Sequence, residues 1–273
     1  MKILALDTSG KQAGVAIMDE YITIGEILIN AQSGPKAWHH SEILMPAVNQ
    51  LFELSGLSLC DIDYIAYTSG PGSFTGLRIG AATALGLSRG IEKPTIPVPT
   101  LDALAYNMLY HADAARGNFK ENTYIVPLMD ARRGQVYAAI YVSGQGEDCA
   151  ENSQLSSGMG CAEVCCKKSN SKTTGNMSGL TRQSDYMALH IDEVIKLVGV
   201  KPVIYLGDGA DENKAAILAN QPHALFAPAN ANRQRPACVA MAALYQLKAG
   251  KPSQTVDLIY VRDPQAVRNQ KKP

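Results

Sequence analysis

Two segments rich in glycine and hydroxyl side chains are the places where residue types and spacing in this chain suggest chemistry. Asp7-Thr8-Ser9-Gly10 follows the apolar run Ile3 to Leu6. Ser69-Gly70-Pro71-Gly72-Ser73-Phe74-Thr75-Gly76 follows a second buried-strand pattern, Asp63 to Thr68, and leads into a helix of small residues. Such loops bring backbone N–H groups close to phosphate oxygens, and a helix N-terminus behind them favours negative charge. Asp7, Thr8, Ser9, Gly70, Gly72, Ser73 and Gly76 are therefore candidate phosphate contacts, with plain turn geometry as the competing reading. Neither GxxxxGK[ST] nor GxGxxG occurs, so the pattern is not that of a P-loop or a dinucleotide fingerprint. Asp7 is placed either to position a metal-bound water or to cap its turn. Arg78, expected in the first turn of the following helix, opposes the helix dipole. It either faces an acidic group or a phosphate, or it is simply solvated.

Other chemistry finds little support. His39, His40 and Glu42 lack the i, i+4 spacing of helical zinc sites, and Cys161, Cys165 and Cys166 have no second paired cluster, so no metal is expected. No serine, cysteine or histidine stands out as an activated nucleophile, and no catalytic residue is assigned.

The 273 residues carry 25 Lys plus Arg against 25 Asp plus Glu and are 46% hydrophobic. That content fills a packed core, while the balanced charge provides no overall field toward polyanions. If RNA is involved, a partner is expected to do much of the holding. The start, Lys2 to Asp7, is too short and too soon interrupted for a signal peptide, and no apolar run approaches the roughly 18 residues of a membrane span. A soluble cytoplasmic protein is expected, without membrane association. Six scattered cysteines are expected as reduced thiols.

The elements that position these residues follow from periodicity. Lys2 to Leu6, Gly14 to Met18 and Ile22 to Ile29 read as a three-stranded antiparallel meander. A helix follows from Ser41, with Ile43, Leu44, Val48, Leu51, Phe52 and Leu54 on one face and Gly56 as its stop; Pro46 is expected to kink it or shift its start. Leu77 to Ser88 is a second helix, whose Gly80, Ala81, Ala82, Ala84 and Gly86 imply close approach to another helix or backbone. Pro94 to Pro99 reads as strand and linker, Leu101 to Tyr110 as helix. Tyr124 to Met129 and Gln135 to Val142 read as strands around the turn Asp130 to Gly134. Residues 143–184 are rich in Ser, Gly, Asn and Lys and read as irregular, with at most short strands. Beyond them come an amphipathic stretch Tyr186 to Leu197, a strand Pro202 to Leu206, a loop Gly207-Asp208-Gly209, and helices near Glu212 to Leu218 and over Ala237 to Leu247. Strand groups alternating with helices, twice over, indicate an α/β protein of two related lobes, divided as 1–102 and 103–273. The C-terminal helix is expected to return to the first lobe.

Asp7-Thr8-Ser9, His40-Ser41-Glu42, Ser69 to Gly80 and Asp130-Ala131-Arg132-Arg133-Gly134-Gln135-Val136-Tyr137 together resemble the TsaB (YeaZ) family. Ile259-Tyr260-Val261-Arg262 with Pro264 is similar to that family's C-terminal segment. The resemblance implies a two-lobed actin/Hsp70/sugar-kinase-like (ASKHA) fold, each lobe a mixed sheet with helices. It also implies a non-catalytic paralogue of TsaD that pairs with a TsaD-type catalytic subunit and a TsaE-type ATPase. That complex places threonylcarbamoyl on N6 of the adenosine beside the anticodon of ANN-decoding tRNAs, so tRNA is met through the complex and ATP or ADP only within it. Where TsaD carries an HxxxH metal motif, this chain reads Thr100-Leu101-Asp102-Ala103-Leu104. The family pairs through its first two long helices, which implies His40, Glu42, Leu44, Val48, Leu51, Arg78, Gly80, Ala81 and Ala84 as the partner interface and a homodimer in isolation. Packing within the monomer is the other role open to the small residues. An ATP-dependent phosphotransferase or ATPase using Asp7 and the 69–76 loop is the alternative. A glycoprotease-like peptidase would need a nucleophile or metal that is not legible.

Overall fold

Two sheets with the same strand order carry the chain. The computed structural model describes residues 1–20, 22–30, 39–114, 123–143, 180–250 and 258–262. The first sheet is built from β1 (Lys2–Asp7), β2 (Gln12–Asp19), β3 (Ile22–Asn30), β4 (Tyr64–Gly70) and β5 (Thr95–Pro99), in the order β3-β2-β1-β4-β5. β1, β2 and β3 pair antiparallel as the expected meander, while β4 and β5 add in parallel. Parallel neighbours need a crossover, and the chain supplies α1 (His40–Ser55) before β4 and α2 (Phe74–Ile91) before β5.

The two faces of this sheet explain its apolar runs. Leu4, Leu6, Val15, Ile17, Ile65 and Tyr67 face α1 and α2, meeting Leu44, Val48, Leu51, Ala81 and Ala84. The alternate residues Ile3, Ala5, Met18 and Ala66 face α3 (Thr100–Ala114) and α7 (Pro236–Lys248). A strand covered on both faces reads as continuous rather than alternating hydrophobicity. α7 is apolar nearly all round for the same reason, with Ala237 to Ala240 and Ala242 to Leu244 buried. Burial pushes the Cys238 thiol within it up to about 12.

The second sheet repeats the pattern with β6 (Tyr124–Asp130), β7 (Gln135–Ala138), β10 (Met187–His190), β11 (Val203–Leu206) and β12 (Leu225–Phe226), in the order β10-β7-β6-β11-β12. β8 (Tyr141–Ser143) also pairs with β6, and β9 (Leu180–Arg182) pairs with β8. One face packs on α4 (Ile191–Val198), α5 (Asp208–Glu212) and α6 (Lys214–Asn220). The other receives Leu101, Leu104, Ala105 and Met108 of α3. Since Ala103 and Tyr106 lie in the first core, α3 is shared by both lobes, and a boundary at 102/103 falls inside it. The architecture is the two-lobed ASKHA arrangement.

Several elements differ from expectation for identifiable reasons. Gln135 to Val142 is two strands. The register puts Ala139 opposite Pro127, which has no N–H to give the ladder, and the Ile140 N–H turns instead to Ser184 Oγ at 2.9 Å. Tyr186 to Leu197 divides into β10 and α4, with the Glu193 carboxylate accepting from the His190 N–H at 3.0 Å where the helix starts. Gly207-Asp208-Gly209 is the entry to α5 rather than a loop. α2 begins at Phe74, three residues earlier than expected, so Arg78 stands in its second turn. Pro46 lies inside α1 without displacing its start, and Gly56 ends that helix in a left-handed conformation, φ 67°. Residues 144–179, including Cys161, Cys165 and Cys166, lie outside the described residues. No helix among the described residues is long and apolar enough to cross a membrane.

Candidate functional site

The structure gathers the two glycine-rich segments at one point and packs them against each other. α2 and the turn before it are seated on the end of β1 through Gly72, Gly76 and Gly80, the last two on one helical face. A Cβ at Gly72 would run into the Ser9 carbonyl oxygen, one at Gly76 into the Thr8 carbonyl oxygen, and one at Gly80 into Thr8 Oγ1. Hydrogen bonds lock the contact: Thr8 Oγ1 donates to the Gly76 carbonyl at 2.7 Å, and the Ser73 N–H donates to the Ser9 carbonyl at 2.7 Å. Ser73 also caps α2, its hydroxyl accepting from the Gly76 N–H at 3.3 Å. Thr8 and Ser9 are consequently buried.

Asp7 lies beneath this junction. Its Oδ1 accepts from the Ser9 N–H at 2.9 Å, from Ser9 Oγ at 2.7 Å and from Thr68 Oγ1 at 3.2 Å. Its Oδ2 is buried with no partner among the described residues, as is His40 Nε2. Burial pushes the Asp7 carboxyl up, partly opposed by the Ser9 and Thr68 hydrogen bonds and by the His40 charge. Of its two candidate roles, the geometry supports the turn cap directly. Gly70 is covered from outside: the Ile259 N–H donates to the Ser69 carbonyl at 2.7 Å, and the Ile259 carbonyl oxygen fills the space a Cβ on Gly70 would need.

An opening lies between the lobes, a cavity of about 160 Å³ lined by Lys11, Gln12, Asn30, Asp208, Asp211, Glu212, Arg233 and Gln234. Lys11 spans it, at 2.9 Å from Glu212 and 3.7 Å from Asp208, while Arg233 pairs with Asp211 at 2.7 Å. Two cations against three carboxylates make its wall net negative, a poor surface for a bare polyphosphate. The sequence reading missed this cleft because its walls are some 200 residues apart; the i, i+3, i+4 spacing of Asp208, Asp211 and Glu212 was the available signal.

A family model described as "TsaD: tRNA N6-adenosine threonylcarbamoyltransferase" matches residues 35–158. The tRNA threonylcarbamoyladenosine biosynthesis protein TsaB of Escherichia coli (strain K12) is 37% identical over 143 residues, covering 52% of this chain and 55% of the relative. Its namesake in Bacillus subtilis (strain 168) is 36% identical over 141 residues, with the same coverage. The chain thus spans about half the length of the curated relatives it matches. The structure titled "YeaZ from Pseudomonas aeruginosa" superposes with a TM-score of 0.65 at 20% identity, covering 95% of this chain and 99% of that one, a likeness of fold. Over about half of its length the chain is thus similar to TsaB proteins, and its fold is like that of YeaZ.

The residues expected at this family's partner interface divide sharply. Leu44, Val48, Leu51, Ala81 and Ala84 belong to the first-lobe core, and Gly80 lies against Thr8. They pack within the monomer, because the apolar stripe of an amphipathic helix faces its own sheet. His40 is half-buried, Glu42 is exposed, and the Glu42 carboxylate accepts from the His39 N–H at 3.0 Å. The outward positions of α1 and α2 are others: Met45 (38% exposed), Leu54 (74%), Phe74 (37%) and the exposed Ala82. Arg78 is also outward, but it faces no acid among the described residues; its guanidinium lies over the Phe74 ring, 3.8 Å from the centroid, and Nε donates to Tyr260 Oη at 3.2 Å.

At Thr100 to Leu104 the chain carries a structural cluster. Thr100, Leu101 and Leu104 are fully buried. Asp102 accepts hydrogen bonds from the Tyr141 and Tyr186 hydroxyls, the latter at 2.8 Å, with Arg182 at 3.9 Å. Burial and the adjacent carboxylate push both phenols up, so they remain donors and tie α3 to the second sheet. Among the described residues no three His, Cys, Asp or Glu side chains gather in a metal-holding group.

Proposed function

We propose that this chain serves the biosynthesis of threonylcarbamoyladenosine in tRNA as a partner subunit that carries no reaction centre of its own. In this reading it docks onto a TsaD-type catalytic subunit, a TsaE-type ATPase joins them, and tRNA and any ATP or ADP are met within that complex. The names of the curated relatives support the pathway. The observation that carries the partner role is the junction at Thr8 and Ser9, where the glycines seat α2 on β1 and leave the two loops turned toward each other.

The docking face in this proposal is the outer surface of α1 and α2, centred on Met45, Leu54 and Ala82 rather than on their buried neighbours. Exposed apolar side chains beside small residues let two helix pairs approach closely. An isolated preparation is expected to use the same surface for a homodimer, since a two-fold contact is self-complementary.

The test is reconstitution. The purified chain, a TsaD-type protein and a TsaE-type ATPase are combined with ATP, a threonylcarbamoyl donor and an ANN-decoding tRNA, then each component is left out in turn. Modification that requires the mixture agrees with the proposal; turnover by this chain alone overturns it.

A further inference from the structure

The arginines of this chain fall into two groups. Arg182, Arg233 and Arg235 each pair with a carboxylate, Asp102, Asp211 and Glu26 respectively. Arg78, Arg132, Arg133 and Arg262 have no carboxylate within ion-pair distance among the described residues, and these four lie along one line of contacts that crosses both lobes.

The line starts at the beginning of α2, where Phe74 and Tyr260 are exposed with ring centroids 5.3 Å apart and the Arg78 guanidinium lies over Phe74. Two residues beyond Tyr260, Arg262 Nη1 donates to the Ala131 carbonyl at 2.6 Å. Ala131 is followed by Arg132 and Arg133, both exposed and both left-handed, φ 61° and 59°, on the turn that joins β6 to β7. The Asp130 carboxylate beside them accepts from the Arg132 N–H at 2.6 Å, and so sits beneath the turn backbone.

We propose that this aromatic and arginine ribbon is a contact surface for single-stranded RNA, an unpaired loop whose bases stack on Tyr260 and Phe74 while phosphates meet Arg132, Arg133 and Arg262. It rests on the tRNA reading above and names the part of this chain that touches the RNA. Unpaired guanidinium groups keep their charge for phosphates, and exposed rings flanked by arginine planes accept bases of any sequence. An acidic protein surface would use the charges but not the stacked rings. The zero net charge of the chain is no obstacle, because its other described arginines, apart from Arg89, are matched by their own carboxylates.

The experiment measures fluorescence anisotropy of a labelled anticodon stem-loop with the full chain over a salt series. The wild type is expected to bind with a salt-dependent affinity. Arg132→Asn with Arg133→Asn, chosen because asparagine tolerates left-handed backbone, should weaken binding and make the slope of log K against log salt shallower by about 1.4. Phe74→Leu with Tyr260→Leu should weaken it about tenfold and leave affinity for a blunt duplex unchanged. Melting temperatures of both variants report their folding. No binding by the wild type, or variants that bind RNA as the wild type does, overturns the inference; if those variants instead lose a TsaD-type partner, the ribbon faces protein. Transfer activity absent from the reconstituted mixture while RNA still binds through the ribbon would overturn the partner role and leave this inference standing.

Discussion

The two lobes share a strand order and treat the turn after their first strand in opposite ways. In the first, the turn at Asp7 to Ser9 is buried beneath an unbroken 18-residue α2. In the second, the equivalent turn at Asp130 to Gly134 projects into solvent with two left-handed arginines, and the helix after β11 is broken into α5 and α6 of 5 and 7 residues. Both lobes still use glycine to bring the chain after the second parallel strand against the first strand. A Cβ at Gly207 would run into the Leu128 carbonyl, as one at Gly76 would run into that of Thr8. One scaffold thus gives two surfaces. The closed lobe presents a long helix pair outward, and the open lobe contributes charged residues to the cleft and to the arginine ribbon.

The largest expected effects test the shared part of that comparison. Gly76→Ala and Gly207→Ala each force a side chain into backbone, and Gly207 adds a φ of 102°. Each should cost more than about 3 kcal/mol in urea unfolding or prevent folding. Tolerance of one but not the other would show that the lobes do not seat their helices alike.

A smaller, pH-dependent effect is expected at the buried Asp7. Because burial raises the Asp7 pKa in the native state, its contribution is fully present below the unfolded carboxylate value. That contribution is lost as pH rises through the folded value. Asp7→Asn keeps an oxygen for the Ser9 and Thr68 donors and removes the buried charge. The melting temperature of the variant relative to wild type should therefore rise between about pH 4 and neutrality. A difference that is flat or falling with pH would mean that the carboxylate is held charged.

The smallest effect concerns Gly86, exposed on α2 with none of the described residues within 4 Å of a Cβ. Gly86→Ala should stabilise by about 0.5–1 kcal/mol, in contrast to the loss at Gly76 on the same helix. Destabilisation would place an unseen neighbour against that face.

Much of this architecture was legible in local pattern. The meander, both first-lobe helices, the glycine motif and the turn at Asp130 follow from period, caps and turn residues. What was not legible depended on distant partners. Pro127 breaks the strand it faces across the sheet, and Lys11 meets Glu212 through a fold that no window of sequence spans. Arg78 finds Phe74 one turn away and Tyr260 from the far end of the chain. The resemblance implied Leu44, Val48 and Leu51 of α1 as part of a partner interface; they pack in the first-lobe core, and Met45 and Ala82 lie on the outer surface.

The measurement closest to the central claim is the affinity of this chain for a TsaD-type protein by calorimetry, with transfer activity followed in the same mixtures. Met45→Glu with Ala82→Glu is compared there with Leu218→Glu on α6 of the second lobe. The account predicts at least about a tenfold loss of affinity and a parallel loss of activity for the first-lobe pair, about 1.4 kcal/mol or more, with an unchanged melting temperature and no loss for Leu218→Glu. Full affinity in the first-lobe pair, or a loss confined to Leu218→Glu, would contradict it.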